Sequence, residues 1–516
     1  QGSPQLVYFG TENRPVDPSR WMVPIWAVGG AFFALLALTF VGLGQVMGRA
    51  FDAIPNRVAA YSVDVAGSLT GIALFAAMSW LEFSPVAWFA PALALALYFA
   101  GWRRPVQLAA AAAALLLVAI GSHFLLVHGR PAWSPYYKVS YDPAQRLIST
   151  NDIGHQYIQT VAREGTGYML PYFLNRGAGG APFDDVMIIG AGNGNDVSAA
   201  LQSGAKHVDA VEIDPVIREL GGRHHPEQPY SDARVAVQVD DGRAFARRTE
   251  RKYDLAVYAL VDSLVLHSGY SSLRLENFLF TREAIEDVKR TLKPDGLFVM
   301  YNFYRQGWVV GRLAKIAEEV FGTQPIVISV PRRDSIRAED SQAEAITFLI
   351  AGDSKRLEAM RARFAKGDIL WVSPATAQRQ ALIAFRPTSP PDGSWAALAP
   401  SRVSLEDIGP LPSDDWPQLY LRAREIPWAP IGQGMLVMAL LSGLLLYGFA
   451  PQRRVRLNPQ MFFLGAGFML LETKGVVHMA LLFGSTWIVN SIVFFAILVM
   501  ILCANLYVLR LQPRRL

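Results

Sequence analysis

The stretch that decides the fold is VMIIGAGNGND, residues Val186–Asp196. Its first four residues are apolar and are bounded by turn-forming residues, which predicts a buried parallel strand. The glycines at positions 190, 192 and 194 allow a sharp turn and a close approach of the backbone to a ligand. A helix is predicted next, from Val197 to about Ser203. Strand, glycine-rich turn and helix in this order predict an α/β unit.

Further strands are predicted downstream, and acidic residues lie where they end. Val208–Ile213 ends in Glu212 and Asp214, about 20 residues after the glycine turn, where an acid can bind both ribose hydroxyls. Val235–Val239 is followed by Asp240–Gly242, where a carboxylate can accept a hydrogen bond from an adenine amino group. Parallel strands end at one edge of a sheet, so these groups predict a nucleoside site there.

Two more strands complete the predicted sheet. Leu255–Leu260 leads to Asp262, and Leu297–Tyr301 follows a predicted helix, Thr281–Leu292, and a predicted turn, Lys293–Gly296. The alternative interpretation of the acids is that they are helix N-caps, since Asp is favoured at such positions. Several acids in register favour the nucleoside site, and a nicotinamide dehydrogenase is a further alternative.

Composition indicates that this domain is only part of a membrane protein. The chain has 516 residues, of which 52% are hydrophobic and 18% are charged, with a net charge of +5. Its single cysteine, Cys503, excludes an intrachain disulfide and a cysteine-based metal site. Apolar runs near the length of a transmembrane helix occur at roughly Trp21–Val46, Val58–Trp80, Ala87–Trp102, Leu108–Val127, Ile431–Phe449, Met461–Phe483 and Ile488–Leu509. Buried helices of a soluble core are the alternative interpretation of these runs.

The predicted organisation is a soluble α/β domain inserted between two groups of transmembrane helices. A polar N-terminal segment, 1–20, precedes four helices in 21–129, and the α/β domain occupies 130–352. A loop-rich appendage rich in Pro, Ser and Trp covers 353–426. Three helices and a basic tail close the chain in 427–516. The polar side chains in the apolar runs, Asp64, His123, Glu472 and Lys474, are interpreted as ties between helices or as parts of a transport path.

Several of these motifs resemble the spermidine synthase (polyamine aminopropyltransferase) family. The resemblance spans roughly Tyr136–Asn302 and rests on Ile189–Gly194, Val211–Asp214, Asp240–Gly242 and Tyr253-Asp254. Four further motifs resemble a membrane-embedded branch of that family, fused to transporter-like helices: His155-Gln156, Asp414–Pro417, Leu471–Lys474 and Phe483–Trp487.

The resemblance implies a Rossmann-like domain of the S-adenosylmethionine-dependent methyltransferase type. It implies decarboxylated S-adenosylmethionine or S-adenosylmethionine as the donor, a small amine as the acceptor, and no metal. Glu212 would hold the ribose, and Asp241 with Gly242 the adenine. The glycine turn would contribute Gly190, Gly192, Asn193 and Gly194 to the same site.

The sequence departs from the family pattern at two acidic positions. Asn193 stands where the family has an amine-binding Asp, and Ala259 stands where the family has the usual proton-accepting Asp. Asp262 is then the best remaining base and a substrate-binding residue. His155 and Gln156 are candidate acceptor contacts, His155 having a structural or surface role as its alternative, and Glu276 and Tyr301 are further candidates.

Three functions follow from these residues. The first is a membrane-anchored aminopropyltransferase, the second a small-molecule methyltransferase on the same fold, and the third a membrane module that binds an adenosyl ligand without turnover. The expected partners are an amine acceptor and the lipid bilayer, with no nucleic acid, and a homo-oligomer is left open.

Loop charges address the side of the membrane on which the domain lies. If all seven runs span, one side carries ten arginines: Arg49, Arg57, Arg103, Arg104, Arg453, Arg454, Arg456, Arg510, Arg514 and Arg515. The positive-inside rule then places the α/β domain outside the cytoplasm of a multi-pass cell-membrane protein. Cofactor supply favours the cytoplasm instead, because adenosyl cofactors are made there.

Overall fold

The computed structural model describes residues 23, 25–100, 105–123, 130–164, 166–261, 277–342, 344–373, 383–386, 395–449 and 458–511. The α-helices in these ranges are α1 (Ile25–Ala53), α2 (Arg57–Trp80), α3 (Pro85–Ala100), α4 (Pro105–His123), α5 (Val161–Glu164), α6 (Thr166–Gly177), α7 (Asn195–Gln202), α8 (Pro215–His224), α9 (Gly242–Arg248), α10 (Arg282–Thr291), α11 (Gly307–Phe321), α12 (Lys355–Ala365), α13 (Gln433–Phe449), α14 (Pro459–Phe483) and α15 (Trp487–Leu511). The strands are β1 (Arg130–Trp133), β2 (Lys138–Asp142), β3 (Leu147–Thr150), β4 (Ile153–Tyr157), β5 (Asp185–Ile189), β6 (His207–Glu212), β7 (Val235–Val239), β8 (Tyr253–Ala259), β9 (Leu292–Asn302), β10 (Arg305–Gln306), β11 (Ile326–Val330), β12 (Ser335–Ile336), β13 (Ser341–Gln342), β14 (Ile346–Ala351), β15 (Ile369–Val372), β16 (Ile383–Arg386), β17 (Ala396–Leu398) and β18 (Arg402–Val403).

The chain divides into two compact units. One unit contains α1, α2 and α13–α15, and the other contains α3–α12 and the strands. The boundaries of the α/β domain and its appendage at residues 130, 352 and 426 stay predictions from the sequence.

Apolar helices lie on both sides of the α/β domain in the sequence, at the seven positions predicted. Five of them, α1, α2, α4, α14 and α15, are long and apolar enough to cross a membrane, whereas α3 and α13 are shorter. Two of the long helices begin at an asparagine cap: the side chain of Asn56 accepts the first free amides of α2, and Asn458 those of α14. These helices are compatible with a multi-pass membrane protein.

The α/β domain is built on a mixed seven-stranded sheet in the order β7-β6-β5-β8-β9-β14-β11. The first five strands are parallel, whereas β14 runs antiparallel to both β9 and β11. The chain order reverses between β5 and β8, which is the switch point where open α/β sheets bind ligands. The structure therefore confirms the predicted Rossmann-like fold.

The predicted turn Lys293–Gly296 is instead a bulge within β9. Tyr253 pairs with Leu292 and Leu255 pairs with Leu297, so the intervening residues of β9 loop out of the ladder. The ammonium of Lys293 closes this bulge, bonding Asp254 at 2.8 Å and Asp185 at 2.7 Å. Asp254 thus supports the edge of the sheet opposite the nucleoside site.

A meander of four antiparallel strands, β1–β4, precedes the central sheet. It has a small core of its own around Val139, Ile148 and Ile158, which packs against Val216 and Ile217 of α8. This packing places β4 next to the turn that follows β5.

The segment 353–426, predicted to be loop-rich, contains one helix and several short strands. Leu357 and Met360 of α12 pack into the main core, as do Leu370 and Val372 of β15. β15 pairs with β16 and β17 in a small antiparallel sheet. Part of the segment therefore extends the α/β core.

Residues 404–423, here called the return segment, are held by a buried arginine. Arg312 of α11 has no exposed surface, and it donates hydrogen bonds to the carbonyl oxygens of Ile408 (2.7 Å), Leu419 (2.8 Å), Leu421 (2.8 Å) and Arg422 (2.6 Å). Its guanidinium also lies 4.5 Å from the ring centroid of Trp308. Burial lowers the pKa of Arg312 to about 9.

A second buried arginine holds the same segment to the sheet. Arg243 in α9 makes a two-pronged ion pair with Asp414, at 2.6 and 2.8 Å, and bonds Asp287 at 3.0 Å. Thr281 donates to the same Asp414 carboxylate at 2.8 Å. The motif Asp414–Pro417 thus lies against the helix that follows β7.

Candidate functional site

The turn after β5 is built from glycines in a left-handed conformation. Gly190 has φ +78° and Gly192 has φ +53°. A Cβ atom on Gly192 would lie 2.6 Å from the Oε1 atom of Gln156, and the positive φ favours glycine at this position. The amides of Gly190 and Ala191 both bond the carbonyl of Val211 in β6, at 2.9 and 3.0 Å. These bonds fix the turn against the end of the neighbouring strand.

Glu212 at the end of β6 is held by backbone amides rather than by a cation. Its Oε2 atom accepts the amide of Gly192 at 2.7 Å, and its Oε1 atom accepts the amide of Asp214 at 2.9 Å. Burial raises the pKa of Glu212 to about 7, and the charge of Asp214 adds to this increase. The carboxylate is therefore oriented in advance, with lone pairs left for a ligand.

Two other predicted acids act as helix caps. Asp214 accepts the amides of Val216 and Ile217 at the start of α8, and burial raises its pKa to about 6. Asp241 accepts the amide of Ala244 at the start of α9. The cap interpretation thus holds for both residues, although Asp241 also lines the cavity described below.

Strand β4 covers the glycine turn and explains Asn193. The side-chain amide of Asn193 donates to the carbonyl of Tyr157 at 3.0 Å, and that of Asn195 donates to the same oxygen at 2.8 Å. Gln156 accepts the backbone amide of Asn193 at 2.9 Å. His155 also faces the cavity, and burial lowers its pKa to about 4, so it is neutral at pH 7.

These residues surround a cavity of about 480 Å³ at the ends of the parallel strands. The predicted site residues that line it are His155, Gln156, Gly190, Asn193, Glu212, Asp241 and Gly242. Gly192 and Gly194 support the turn behind the lining. Apolar walls come from Ile189, Val211 and Leu279. The volume is in the range of small-molecule sites.

The predicted base lies outside the described residues, as does Glu276. β8 ends at Ala259, and Leu260 follows in a left-handed conformation with φ +47°. Ala259 and Val261 line the cavity, and the described chain stops before Asp262. The role of Asp262 stays a prediction.

The sequence interpretation missed one acid in the cavity wall, Asp196. It lies in the first turn of α7, is 9% exposed and accepts a hydrogen bond from the hydroxyl of Tyr301 at 2.5 Å. Burial raises the pKa of Asp196 to about 7. The signal was present, since Asp196 closes the glycine motif and Tyr301 was already a candidate. Within the described ranges, no group of three or more His, Cys, Asp or Glu residues is placed to hold a metal.

Part of the chain is similar to known proteins. Residues 181–331 match the family model described as the spermine/spermidine synthase domain. A polyamine aminopropyltransferase of Thermoplasma volcanium is 27% identical over 133 residues, which is 25% of this chain and 44% of that protein. Polyamine aminopropyltransferase 2 of Hyperthermus butylicus is 33% identical over 118 residues, 22% of this chain and 36% of the relative.

Among solved structures, the spermidine synthase of Thermotoga maritima aligns with 16% identity and a TM-score of 0.31, covering 43% of this chain and 71% of that one. The chain spans less than half the length of the two aminopropyltransferases. The matched residues run from just before β5 to the end of β11, and most of the cavity lining lies within them. Residues 181–331, within the α/β domain of this chain, are thus similar to the spermine/spermidine synthase domain family.

Proposed function

We propose that this chain is a membrane-anchored transferase that moves an aminopropyl group from decarboxylated S-adenosylmethionine to a small amine. Its family domain and the names of its relatives support this proposal. The observation that carries it is Glu212, whose two oxygens are fixed by backbone amides in a cavity at the switch point of the sheet.

The donor's adenosine fits the side of the cavity formed by β6 and β7. Glu212 would accept hydrogen bonds from the ribose hydroxyls, because its lone pairs are not used by a cation. Asp241 and Gly242 would contact the adenine edge, with Ile189 and Leu279 as apolar walls beside the ring. The glycine turn leaves backbone close to the donor's chain.

The reaction would be attack of an amine nitrogen on the carbon next to the sulfonium. A new N–C bond forms, the C–S bond breaks, and its electron pair stays on sulfur, leaving a neutral thioether. The protein's contribution is alignment of nucleophile and leaving group, together with a base for the amine proton. Asp262 is the base predicted from the sequence, and His155 and Gln156 are the predicted acceptor contacts.

The apolar helices before and after the domain would anchor it in a lipid bilayer as a multi-pass protein. Each of the five long helices has enough apolar residues to span the hydrocarbon core.

Two observations favour a second candidate, a methyltransferase or a non-catalytic adenosyl-binding module. The side-chain amide of Asn193 donates to the carbonyl of Tyr157, and Ala259 has no carboxylate at the end of β8. The methyltransferase and the non-catalytic module would both keep the donor site, but neither would transfer an aminopropyl group. Neither requires the acids of a polyamine site.

Calorimetry on the full-length protein in detergent separates these candidates. The three ligands are decarboxylated S-adenosylmethionine, S-adenosylmethionine and methylthioadenosine, and product formation with a panel of amines is followed by mass spectrometry. We expect tighter binding of the decarboxylated donor and an aminopropylated product. Preference for S-adenosylmethionine with methylated products would support the methyltransferase, and binding without product would support the non-catalytic module.

A further inference from the structure

Asp196 is a buried carboxylate that faces the cavity without a cationic partner among the described residues. It is 9% exposed and lies in the cavity wall beside Tyr168 and Asn195. Its oxygen Oδ1 accepts the hydroxyl of Tyr301 at 2.5 Å, and no described Lys, Arg or His pairs with it. Burying a carboxylate is costly unless it is paired, so this position calls for a partner.

The other acids of the site already have structural roles. Asp214 and Asp241 cap helices, and Asp240 forms an ion pair with Arg248. Glu212 receives two backbone amides. Asp196 accepts the hydroxyl of Tyr301 and a backbone amide, and it forms no ion pair and no helix cap with another described residue.

The fold places Asp196 next to the position where the acid of β8 is missing. Ala259 and Tyr301 are paired residues of neighbouring parallel strands, and both belong to the core cluster on the α7 side of the sheet. The hydroxyl of Tyr301 reaches Asp196 on that side. Ala259 and Asp196 both line the cavity.

We propose that Asp196, held by Tyr301, binds the amine of the acceptor and takes the proton that this amine releases on transfer. The inference rests on the proposed function and assigns the acceptor subsite within it. In the transfer step, the amine lone pair forms the N–C bond while the C–S electron pair goes to sulfur. The proton of the resulting ammonium then moves to the Asp196 carboxylate, which the Tyr301 hydroxyl orients.

The test separates amine binding from donor binding in the full-length protein. The probes are 1,4-diaminobutane and n-butylamine, with 1,4-butanediol as the uncharged control, and methylthioadenosine reports the donor site. The variants are Asp196→Asn and Tyr301→Phe. Asp209→Asn is a matched control, because Asp209 is also buried and also accepts a tyrosine hydroxyl, that of Tyr253 at 2.9 Å, but lies outside the cavity.

We expect Asp196→Asn to weaken diamine binding by about 10- to 100-fold, the range of a lost charge-assisted hydrogen bond, while methylthioadenosine affinity is kept. Tyr301→Phe should cause a smaller loss, and Asp209→Asn none. Equal diamine affinity in wild type and Asp196→Asn, or no amine binding to wild type, would overturn the inference. If wild type binds amines through Asp196 but does not bind methylthioadenosine, the amine site stands and the proposed transferase function fails.

Discussion

The side chain of Asn193 connects the glycine turn to strand β4. Its Nδ2 group donates to the carbonyl of Tyr157, and its Oδ1 atom accepts the amide of Asn195 at 3.1 Å. An aspartate has no donor to offer to that carbonyl, so it would place two acceptors against each other. The amide therefore serves to hold β4 over the turn.

We predict that Asn193→Asp destabilises the domain by about 1–3 kcal/mol, because the carbonyl of Tyr157 loses one of its two donors and gains a repulsive neighbour. Thermal unfolding of the full-length variant measures this. Asn193→Ser, which retains a donor, should lose less. An unchanged melting temperature for the aspartate would show that β4 does not depend on this bond.

Glu212 gives the residue-scale test of the donor site. Glu212→Ala should weaken methylthioadenosine binding by about 1–3 kcal/mol through the loss of charge-assisted hydrogen bonds to the ribose. Calorimetry gives the affinity, and Glu219→Ala on the exposed face of α8 is the matched control. Unchanged affinity in Glu212→Ala would contradict the ribose placement.

Asp196 should also leave a signature in the pH dependence of stability. Burial raises its pKa from 3.8 to about 7, with Tyr301, Tyr168 and Tyr172 facing it. The folded state then binds the proton more tightly than the unfolded state, so stability present below pH 4 is lost as the pH rises toward 7.

Asp196→Asn removes this titration while keeping an oxygen for Tyr301. We predict that the stability of the variant relative to wild type increases by on the order of 2–3 kcal/mol between pH 5 and pH 8. Melting temperatures of the two proteins, recorded in parallel across this range, provide the measurement. A difference that does not change with pH would mean that Asp196 titrates at its ordinary value.

Much of the candidate site could be predicted from the sequence, because short-range spacing places it. The turn and the acid about 20 residues later are local consequences of a strand, a turn and a helix. The partnership of Asp196 with Tyr301 is not local, since it depends on which strand lies beside β8. The sequence also does not show which acids cap helices, as Asp214 and Asp241 do, and which one is held by the glycine turn, as Glu212 is. That difference depends on hydrogen bonds that residue types alone do not determine.

At the scale of elements, Arg312 joins the return segment to α11. It donates to several main-chain oxygens of this segment, of which those of Ile408 and Leu419 belong to buried residues. No described carboxylate neutralises it; the guanidinium is satisfied by carbonyl dipoles and by the face of Trp308.

We predict that Arg312→Met, which retains much of the volume, destabilises the α/β domain by about 3 kcal/mol or more, because several buried carbonyls lose their donors together. Limited proteolysis should then cut first within residues 404–423. Arg312→Lys should rescue only part of the loss, since an ammonium has three donors and no plane. Resistance of this segment in Arg312→Met would rule out the arginine as its main attachment.

Some helices and strands were predicted from the sequence and others were not. Each strand from β5 to β8 is a short apolar run, and such runs identify buried parallel strands. The segment 353–426 is rich in proline and serine, so its sequence did not predict α12 and β15. A few apolar residues, such as Leu357 and Leu370, suffice to attach these elements to an existing core. The bulge in β9 was missed because Pro294 and Gly296 are typical of turns.

At the scale of the whole molecule, the apolar helices and the distribution of arginines give a prediction about sidedness. If α1–α4 and α13–α15 all cross the membrane, the positive-inside rule places the α/β domain outside the cytoplasm. In a Cys503→Ala background, Glu250→Cys on the exposed surface of the domain should react with a membrane-impermeant maleimide in intact cells. Ala53→Cys, at the end of α1 between Arg49 and Arg57, should react only after permeabilisation.

The opposite labelling pattern would place the domain in the cytoplasm, where adenosyl donors are made. That outcome would show that the charges of these loops do not set the orientation. Equal labelling of both positions in intact cells would contradict a crossing between them.

The contacts of Arg312 have a consequence for how this protein can diverge. Every amino acid has a backbone carbonyl oxygen, so the hydrogen bonds from Arg312 to positions 419, 421 and 422 do not depend on the side chains at those positions. The hydrogen bonds of Arg312 would therefore remain if the side chains in this stretch changed. They would also remain in a chimaera that carries a foreign set of helices after residue 423. The sequence of residues 404–423 is thereby free to vary while a single arginine is kept.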